Sequence, residues 1–213
     1  MVELARSWVE GWAVSRGLAG PATVPWGLRI EVGKPQETVR HVLLDAEART
    51  TRALTASVTE PAVCVKGFLP ATELDPYFPA AGWLPLDPCF LMATELRPSR
   101  VPAPDGYTVT TSTADGVATV RVLGADGGPA ASGQAGLTGT VCVPDQISTE
   151  PAHRRRGLGT MVIAALTDAA LAHGVSTGVL GATVEGRALY EALGWRTLAP
   201  LTGYVSRARR ETR

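Results

Sequence analysis

The chain has 213 residues, of which 45% are hydrophobic and 19% charged, and its 20 acidic side chains balance 20 basic ones. This composition excludes a disordered chain, and the zero net charge argues against a whole-molecule field that attracts nucleic acid or an anionic membrane. Three cysteines without a CxxC or Cys/His cluster argue against a disulfide framework and against a metal site. The N-terminus has no signal-peptide pattern and no run approaches the ~20 apolar residues of a membrane span, so we expect a cytoplasmic protein.

The first half of the chain predicts two helices and three strands. Leu4, Trp8 and Trp12 stand at helical spacing, which predicts an amphipathic helix from Val2 to about Ser15. Apolar and β-branched runs predict strands at 27–32, 40–46 and 62–68, with a short helix at 48–58.

The second half predicts a mixed α/β (α+β) domain after a linker. The segment RPSRVPAPDG (97–106) has three prolines and little that could pack, which is typical of a linker. Strands are predicted at 107–113, 117–124, 130–137, 139–149 and 176–183, helices at 158–173 and 185–194, and further strand after Trp195. Pro144 interrupts the strand 139–149 and predicts a bulge or an edge, because proline cannot donate a ladder hydrogen bond.

An internal echo indicates a two-part chain. The sequence FPAAGWLPLDP, which begins at Phe78, is similar to YEALGWRTLAP, which begins at Tyr190. In both halves a helix and a strand precede this segment, but the first copy has no Gly/Arg loop before its helix. We therefore predict a degenerate N-terminal half, residues 1–97, followed by the active domain, residues 98–213.

The run RRRGLG, residues 154–159, stands between a predicted strand and a long predicted helix. Backbone N–H groups at a helix N-terminus lack intrahelical partners, and the helix dipole adds partial positive charge there. Gly157 and Gly159 let phosphate oxygens approach the backbone closely, and Arg154, Arg155 and Arg156 add positive charge. The sequence therefore predicts a pyrophosphate site.

Other nucleotide loops do not fit these residues. A GxGxxG dinucleotide loop needs a glycine where Val162 stands, and a Walker loop needs a Gly-Lys-Ser/Thr ending that the chain lacks. A solvated arginine turn at a helix end remains the alternative for the loop taken alone.

The stretch PAHRRRGLGTMVIAAL resembles the acyl-CoA-binding motif of the GNAT superfamily of N-acyltransferases, and GRALYEALGW (186–195) resembles a later motif of the same superfamily. The resemblance covers roughly residues 105–210. It implies the GNAT fold, a mixed central sheet flanked by helices, with a second, degenerate GNAT-like half at the N-terminus. It also implies acetyl-CoA, or another acyl-CoA, as co-substrate.

Carried over by position, the resemblance implies two sets of cofactor contacts. The strand residues Ile147, Ser148 and Thr149 would lie along the pantetheine arm. Backbone groups of Ile147 and Thr149 would pair with this arm. The pyrophosphate would lie on backbone amides of the loop and helix start. The implied loop residues are Arg154, Arg155, Arg156, Gly157, Leu158, Gly159 and Thr160.

Acyl transfer to an amine needs a base for the nucleophile and a proton for the leaving thiolate. The resemblance assigns the proton donor to Tyr190. Asp145 is the candidate base or anchor for the substrate amine, because strict alternation would place it on the same side as Ile147. Glu150 lies too near the phosphates for this role, and His153 is a candidate cap for the loop.

The sequence departs from the family in two places. Thr183 stands where the later motif begins with asparagine, and the turn at 114–116 leaves no room for the two early helices that cover the substrate side. We expect the N-terminal half to cover that side instead, with its Trp-bearing helix and the PATVPWG loop (21–27).

The expected function is transfer of an acetyl or short acyl group to a primary amine of a small molecule or peptide. A non-catalytic acyl-CoA sensor is the alternative, and a homodimer is left open. Nucleic-acid binding through the three arginines finds no support elsewhere in the chain.

Overall fold

The computed structural model describes residues 1–99 and 101–207. The N-terminal half contains three helices and six strands. The helices are α1 (Val2–Ser15), α2 (Ala48–Ser57) and α3 (Ala71–Leu74), and the strands are β1 (Ala22–Val24), β2 (Gly27–Lys34), β3 (Glu37–Leu43), β4 (Val63–Gly67), β5 (Trp83–Pro85) and β6 (Cys89–Glu95).

The C-terminal half contains two helices and six strands. The helices are α4 (Leu158–Ala172) and α5 (Val184–Ala192), and the strands are β7 (Thr108–Ala114), β8 (Val117–Leu123), β9 (Pro129–Thr138), β10 (Val141–Thr149), β11 (Thr177–Thr183) and β12 (Arg196–Ser206). Short 3₁₀ turns lie at Asp75–Tyr77 and Pro151–His153. The predicted linker, 97–106, has no helix or strand among its described residues, which exclude Arg100.

The predicted elements of both halves are confirmed, with small shifts at their ends. The strand predicted at 40–46 begins at Glu37 and ends at Leu43. The β7–β8 connection is a tight turn in which Asp115 and Gly116 both have positive φ, 50° and 75°. This is the geometry of the favoured two-residue hairpin, and it leaves no room for helices between these strands.

The strands described here form one continuous 12-stranded sheet, in the order β1-β2-β3-β4-β12-β6-β11-β10-β9-β8-β7, with β5 paired to β12 off this path. The two halves exchange strands within it. β6 of the N-terminal half pairs with β11 and β12, and β12 pairs in turn with β4. Strand β6 is absent from the sequence-based prediction, although CFLMATE is an apolar run typical of a buried strand. The boundary at residue 97 stays a prediction.

Helix α1 forms the centre of the main core. Its Trp8, Val9 and Trp12 are buried in one cluster with apolar side chains of both halves, among them Leu28 and Val143. Gly11 lies against Val143 so closely that an added Cβ would stand 2.4 Å from a Val143 methyl. The Trp-bearing helix therefore covers one face of the C-terminal half. The PATVPWG loop does not, because it forms β1 at the far edge of the sheet.

The other face of the C-terminal sheet is covered by α4 and α5. Leu158, Val162 and Leu166 of α4 pack on Val120 and Cys142 in an apolar cluster. A smaller cluster joins α4 and α5 to β6 and β11, and it includes Tyr190 and Trp195. The Gly/Arg loop and the later helix are thereby brought to the same side of the sheet.

Both halves contain a strand-helix-strand unit with parallel strands, β3–α2–β4 and β10–α4–β11. The echo in the sequence corresponds to matching aromatic pairs, since Phe78 lies edge-on to Trp83 and Tyr190 packs at a tilt on Trp195. The units differ in their strand pairing. β3 and β4 stay paired along five consecutive positions, 39–43, whereas β10 and β11 are paired at only two.

Candidate functional site

The parallel strands β10 and β11 separate soon after they begin. Their paired residues are Val141 with Thr177 and Cys142 with Gly178. Beyond these, β10 continues along β9 and β11 continues along β6. The backbone edge of β10 after Cys142 is therefore available to an extended ligand, which can add to a sheet edge as a strand does.

A β-bulge re-aims the side chains of β10. The register with β9 shifts between Asp145 and Ser148, and Gln146 has φ 53°. Pro144 itself stays in register with Ala135, so the irregularity lies two residues later than the proline.

The bulge breaks the alternation that would put Asp145 and Ile147 on one side. Asp145 reaches Ser15 and Arg16 at the end of α1, whereas the Ile147 side chain packs with Val162 on the α4 face. The expectation of a shared face is wrong for this pair, because one extra residue in a strand reverses every side chain that follows.

The loop before α4 has the backbone of an anion site. Arg155 and Gly157 have positive φ, 62° and 79°, and Gly157 stands at the N-cap of α4 with no side chain capping the first turn. Residues 154–157 are exposed, while the Leu158 side chain is buried, so Leu158 can offer only its backbone. Uncapped N–H groups at a helix start favour an anion.

A hydrogen-bonded chain of side chains holds this loop. Arg156 Nη1 donates to the Tyr107 hydroxyl at 3.0 Å, and the same hydroxyl lies 3.0 Å from His153 Nδ1. Arg154 Nε donates to the Thr149 carbonyl at 3.3 Å. His153 therefore helps to fix the loop. Tyr107 is a site residue that was not predicted, because its place just after the linker carries no sign of this contact.

The equivalent helix of the N-terminal half has its start occupied by the protein itself. The Glu47 carboxylate accepts hydrogen bonds from the N–H groups of Arg49 and Thr50, both at 3.0 Å. The hydrogen bond from the Thr50 N–H has the largest effect on the pKa of Glu47, and that from Arg49 the next largest. Both lower this pKa. A carboxylate thus stands where α4 offers free amides, and the β3–β4 edge is closed as well. The two features that favour an extended anionic ligand in the C-terminal half are therefore both missing from this unit.

Tyr190 lies on α5 beside the separated strands. Its side chain is 8% exposed and packs in the cluster that Ile147 also contacts. Burial, and secondarily the Asp145 carboxylate, raises the pKa of Tyr190 to about 12. No hydrogen bond to the Tyr190 hydroxyl is present among residues 1–99 and 101–207. The hydroxyl is therefore protonated and free to donate.

Asp145 is held by the N-terminal half. Its carboxylate accepts hydrogen bonds from Arg16 Nε at 2.7 Å, Arg16 Nη2 at 2.9 Å and Ser15 Oγ at 3.0 Å. A carboxylate has about four acceptor positions, so one remains for another donor. No local pattern could have predicted this ion pair, because its partners are far apart along the chain.

Thr183, which replaces the expected asparagine, caps α5. Its Oγ1 accepts a hydrogen bond from the Gly186 N–H at 3.1 Å. At the other end of the site, the space beside Gly159 is limited, because an added Cβ would lie 3.3 Å from Leu189. The approach of Leu189 to Gly159 shows that α5 packs against the start of α4.

A groove of about 460 Å³ opens on the α1 face beside the bulge. Its walls come from β8, β9 and β10, and it lies next to the end of α1. Its lining residues are Thr119, Arg121, Ser132, Gly133, Gln134, Gln146, Ile147 and Ser148. Of the predicted site residues, Ile147 and Ser148 line this groove, whereas the loop 154–159 does not.

Comparison with known proteins finds a family match in the C-terminal half of the chain. Residues 113–197 match the family description of the acetyltransferase (GNAT) domain. No curated protein sequence matches the chain. No helix among the described residues has the length and apolar character to cross a membrane.

Solved structures share the fold over most of the chain. A GCN5-related N-acetyltransferase from Kribbella flavida is 17% identical, with TM-score 0.67 over 96% of this chain and 95% of that one. A GCN5-related N-acetyltransferase-like protein from Streptococcus suis is 12% identical, with TM-score 0.61 and 89% of each chain covered. A tandem GNAT protein from the clavulanic acid biosynthesis pathway is 15% identical, with TM-score 0.56 over 85% of this chain and 74% of that one.

Residues 113–197 match the GNAT acetyltransferase domain, and the described chain shares the fold of solved GNAT proteins.

Proposed function

We propose that this protein is an N-acyltransferase that moves an acetyl or short acyl group from acetyl-CoA to a primary amine of a small molecule or peptide. The observation that carries the proposal is the pair of features at one end of α4. The strands β10 and β11 separate there, and the helix start beside them is uncapped and carries arginines.

The cofactor would bind along β10 and at the start of α4. Backbone groups of Ile147 and Thr149, with Ser148 between them, would pair with the pantetheine arm, which the unpaired edge of β10 supports. The pyrophosphate would lie on backbone amides of residues 155–160, with the side chains of the three arginines, 154–156, around it. Backbone amides and a helix dipole at one point suit two adjacent phosphates.

Tyr190 would act as the general acid. The amine nitrogen attacks the thioester carbonyl carbon, the C–S bond breaks, and the Tyr190 hydroxyl donates its proton to the leaving sulfur. The raised pKa keeps the hydroxyl protonated at neutral pH, so the proton is present for donation. A neutral amine loses one proton, which Asp145 takes up and solvent returns to Tyr190, so transfer from the neutral amine neither consumes nor releases a proton.

Asp145 would anchor the substrate amine and take up its proton. Three of its acceptor positions are filled by Arg16 and Ser15, and the one that remains supports a single N–H contact. The same ion pair favours the alternative, an acyl-CoA sensor without turnover, because it commits the carboxylate to a structural contact.

Thioester turnover with a panel of primary amines distinguishes the two functions. An enzyme releases free CoA thiol in proportion to N-acylated product, whereas a sensor binds acetyl-CoA without releasing thiol. Calorimetry should give one acetyl-CoA per chain, since Glu47 occupies the start of the equivalent helix. A stoichiometry of two would contradict the assignment of the site to α4.

We also propose that the protein acts in the cytoplasm. Its three cysteines are free thiols, and Cys64 and Cys142 are buried, which suits a reducing compartment.

A further inference from the structure

The N-terminal half contains a cavity of about 670 Å³ that the proposed acyl transfer does not use. It lies on the α2 face of β1, β2 and β3, far along the sheet from the Gly/Arg loop. The lining residues that decide its chemistry are Trp26, Arg29, Val39, His41, Leu54 and Glu60.

The cavity lies beside a helix that is shorter than its counterpart. α2 has 10 residues and α4 has 15. In the C-terminal half, α4 packs on Ala118, Val120 and Val122 and fills the corresponding face of the sheet. In the N-terminal half, the same face of β2 carries Arg29 and is left open beyond the end of α2.

One buried side chain presents an unused donor to this cavity. His41 is only 6% exposed, and its Nδ1 accepts a hydrogen bond from Trp26 Nε1 at 3.1 Å. Burial first, and then the Arg29 charge, lowers the pKa of His41 to about 4, so the ring is neutral at pH 7. With Nδ1 as acceptor, the ring proton is on Nε2.

The Nε2 atom of His41 is the ring nitrogen left without a protein partner among the described residues. No hydrogen bond from it is present in the described part of the chain, and it is not one of the fully buried polar atoms that lack a partner. Because His41 is a lining residue and its Nδ1 points to Trp26, the free N–H is the polar group that the ring offers to a ligand.

The charges around the cavity decide what kind of ligand fits. The Arg29 guanidinium is paired with Glu31, and the Glu60 carboxylate, which accepts from the Thr59 N–H, stands at the rim. These groups leave no uncompensated positive charge for an anion. The remaining walls are largely apolar, with the Trp26 ring beside the histidine at 5.4 Å between ring centroids.

We propose that this cavity is a binding site for a neutral, planar aromatic molecule that offers a carbonyl oxygen to His41 Nε2–H. The Trp26 ring and the valine side chains would contact its apolar body. The site is separate from the acyl-CoA site, and it gives the degenerate half a role of its own in ligand binding.

The test uses three aryl probes of similar size and different charge, namely benzamide, benzoate and benzylamine. Binding to the full chain is followed by NMR through the His41 ring nitrogens and the Trp26 indole N–H. Benzamide should shift both sets of signals and bind about tenfold more tightly than the two charged probes, as expected for one good hydrogen bond without a charge penalty.

Two variants complete the test. His41→Asn keeps an acceptor near the Nδ1 position for Trp26 but removes the Nε2 donor, and it should weaken benzamide about tenfold. Val39→Phe fills the cavity and should abolish binding, even if the asparagine variant folds poorly. The exposed His173→Asn serves as control and should bind like the unaltered chain. Tighter binding of benzoate, absence of benzamide binding, or equal binding by His41→Asn would overturn the proposal.

Discussion

Asp145 and Arg16 form a two-point ion pair, with Nε–Oδ2 at 2.7 Å and Nη2–Oδ1 at 2.9 Å, that joins the end of α1 to the strand before the bulge. It is one of the polar contacts through which the N-terminal half reaches the candidate acyl-transfer site. Both side chains are largely shielded, with 24% of Arg16 and 13% of Asp145 exposed. The pair therefore couples the stability of the fold to the geometry of the site.

This ion pair should contribute measurably to stability. We expect Arg16→Ala to lower the free energy of unfolding by about 1–3 kcal/mol, because a half-buried carboxylate loses its main partner. A double-mutant cycle with Asp145→Asn, followed by urea denaturation, should give a coupling energy of about 1–2 kcal/mol. The exposed pair Arg187–Glu191 is the matched control and should couple by about 0.3–0.5 kcal/mol. Equal coupling in the two cycles would contradict the structural role of Asp145.

The Gly157 position should matter for both strain and cofactor binding. Its φ of 79° is unfavourable for a residue with a Cβ, so Gly157→Ala should cost about 1–2 kcal/mol of stability. Gly174 lies at the other end of α4, has φ 78° and is a matched control. An added Cβ would have no neighbour within 4 Å at Gly157 or at Gly174. We expect similar stability losses in both variants but weaker acetyl-CoA binding, by calorimetry, only in Gly157→Ala. Equal affinities would argue against a phosphate site at the start of α4.

Tyr190→Phe should separate catalysis from folding. Removal of the proposed acid should lower kcat about a hundredfold, while stability changes little, because the hydroxyl has no hydrogen bond among the described residues. Since the pKa of Tyr190 is raised to about 12, its ionisation should not limit the rate between about pH 7 and pH 10. Tyr77→Phe, in the other half, is the control. Unchanged kcat in Tyr190→Phe would assign the proton to another group or to water.

His41 should make the fold sensitive to acid. Burial lowers its pKa from the ordinary 6.5 to about 4 in the folded chain. At a pH between these two values, His41 binds a proton in the unfolded chain but not in the folded chain. The stability that depends on neutral His41 is fully present above pH 6.5 and is lost as the pH falls toward 4. Urea denaturation at several pH values should therefore show a steeper loss for the unaltered chain than for His41→Asn. Parallel curves would mean that His41 titrates alike in both states.

The C-terminal half should not fold without its partner. Residues 96–213 lack α1 and β6, so Val143 and Val179 would be exposed and β11 and β12 would each lose a strand neighbour. We expect no cooperative thermal transition by circular dichroism for this fragment. As control, a chain cut between Pro102 and Ala103 should keep its transition, because no helix or strand spans residues 101–106. A soluble fragment with unchanged acyl transfer would refute the role given to the N-terminal half.

The sequence was most informative where contacts are local. The periodicity around Trp8 and Trp12 predicted α1, and the glycines and arginines before Leu158 predicted the start of α4. The short connection at Asp115 and Gly116 correctly excluded helices between β7 and β8. In each case the signal lies within one turn or one helix, where backbone preferences decide the outcome.

The bulge in β10 was only partly predictable. Pro144 predicted an irregular strand, but the residue with the unusual backbone is Gln146, and the register with β9 is needed to see that Asp145 and Ile147 face opposite sides. Register depends on which strands pair and on how many residues intervene. A one-residue uncertainty therefore changes the chemistry assigned to every side chain after it.

Local sequence was sufficient for the resemblance of the second half to the GNAT domain, for the helix start after the Gly/Arg loop and for the helix around Tyr190. The three-dimensional fold was needed to establish that β6 lies between β11 and β12, that α1 packs on both halves, and that Arg16 holds Asp145. The reason is physical. Loops and helix starts are encoded by neighbouring residues, whereas strand exchange and ion pairs between the halves depend on packing free energy shared by residues that are distant along the chain.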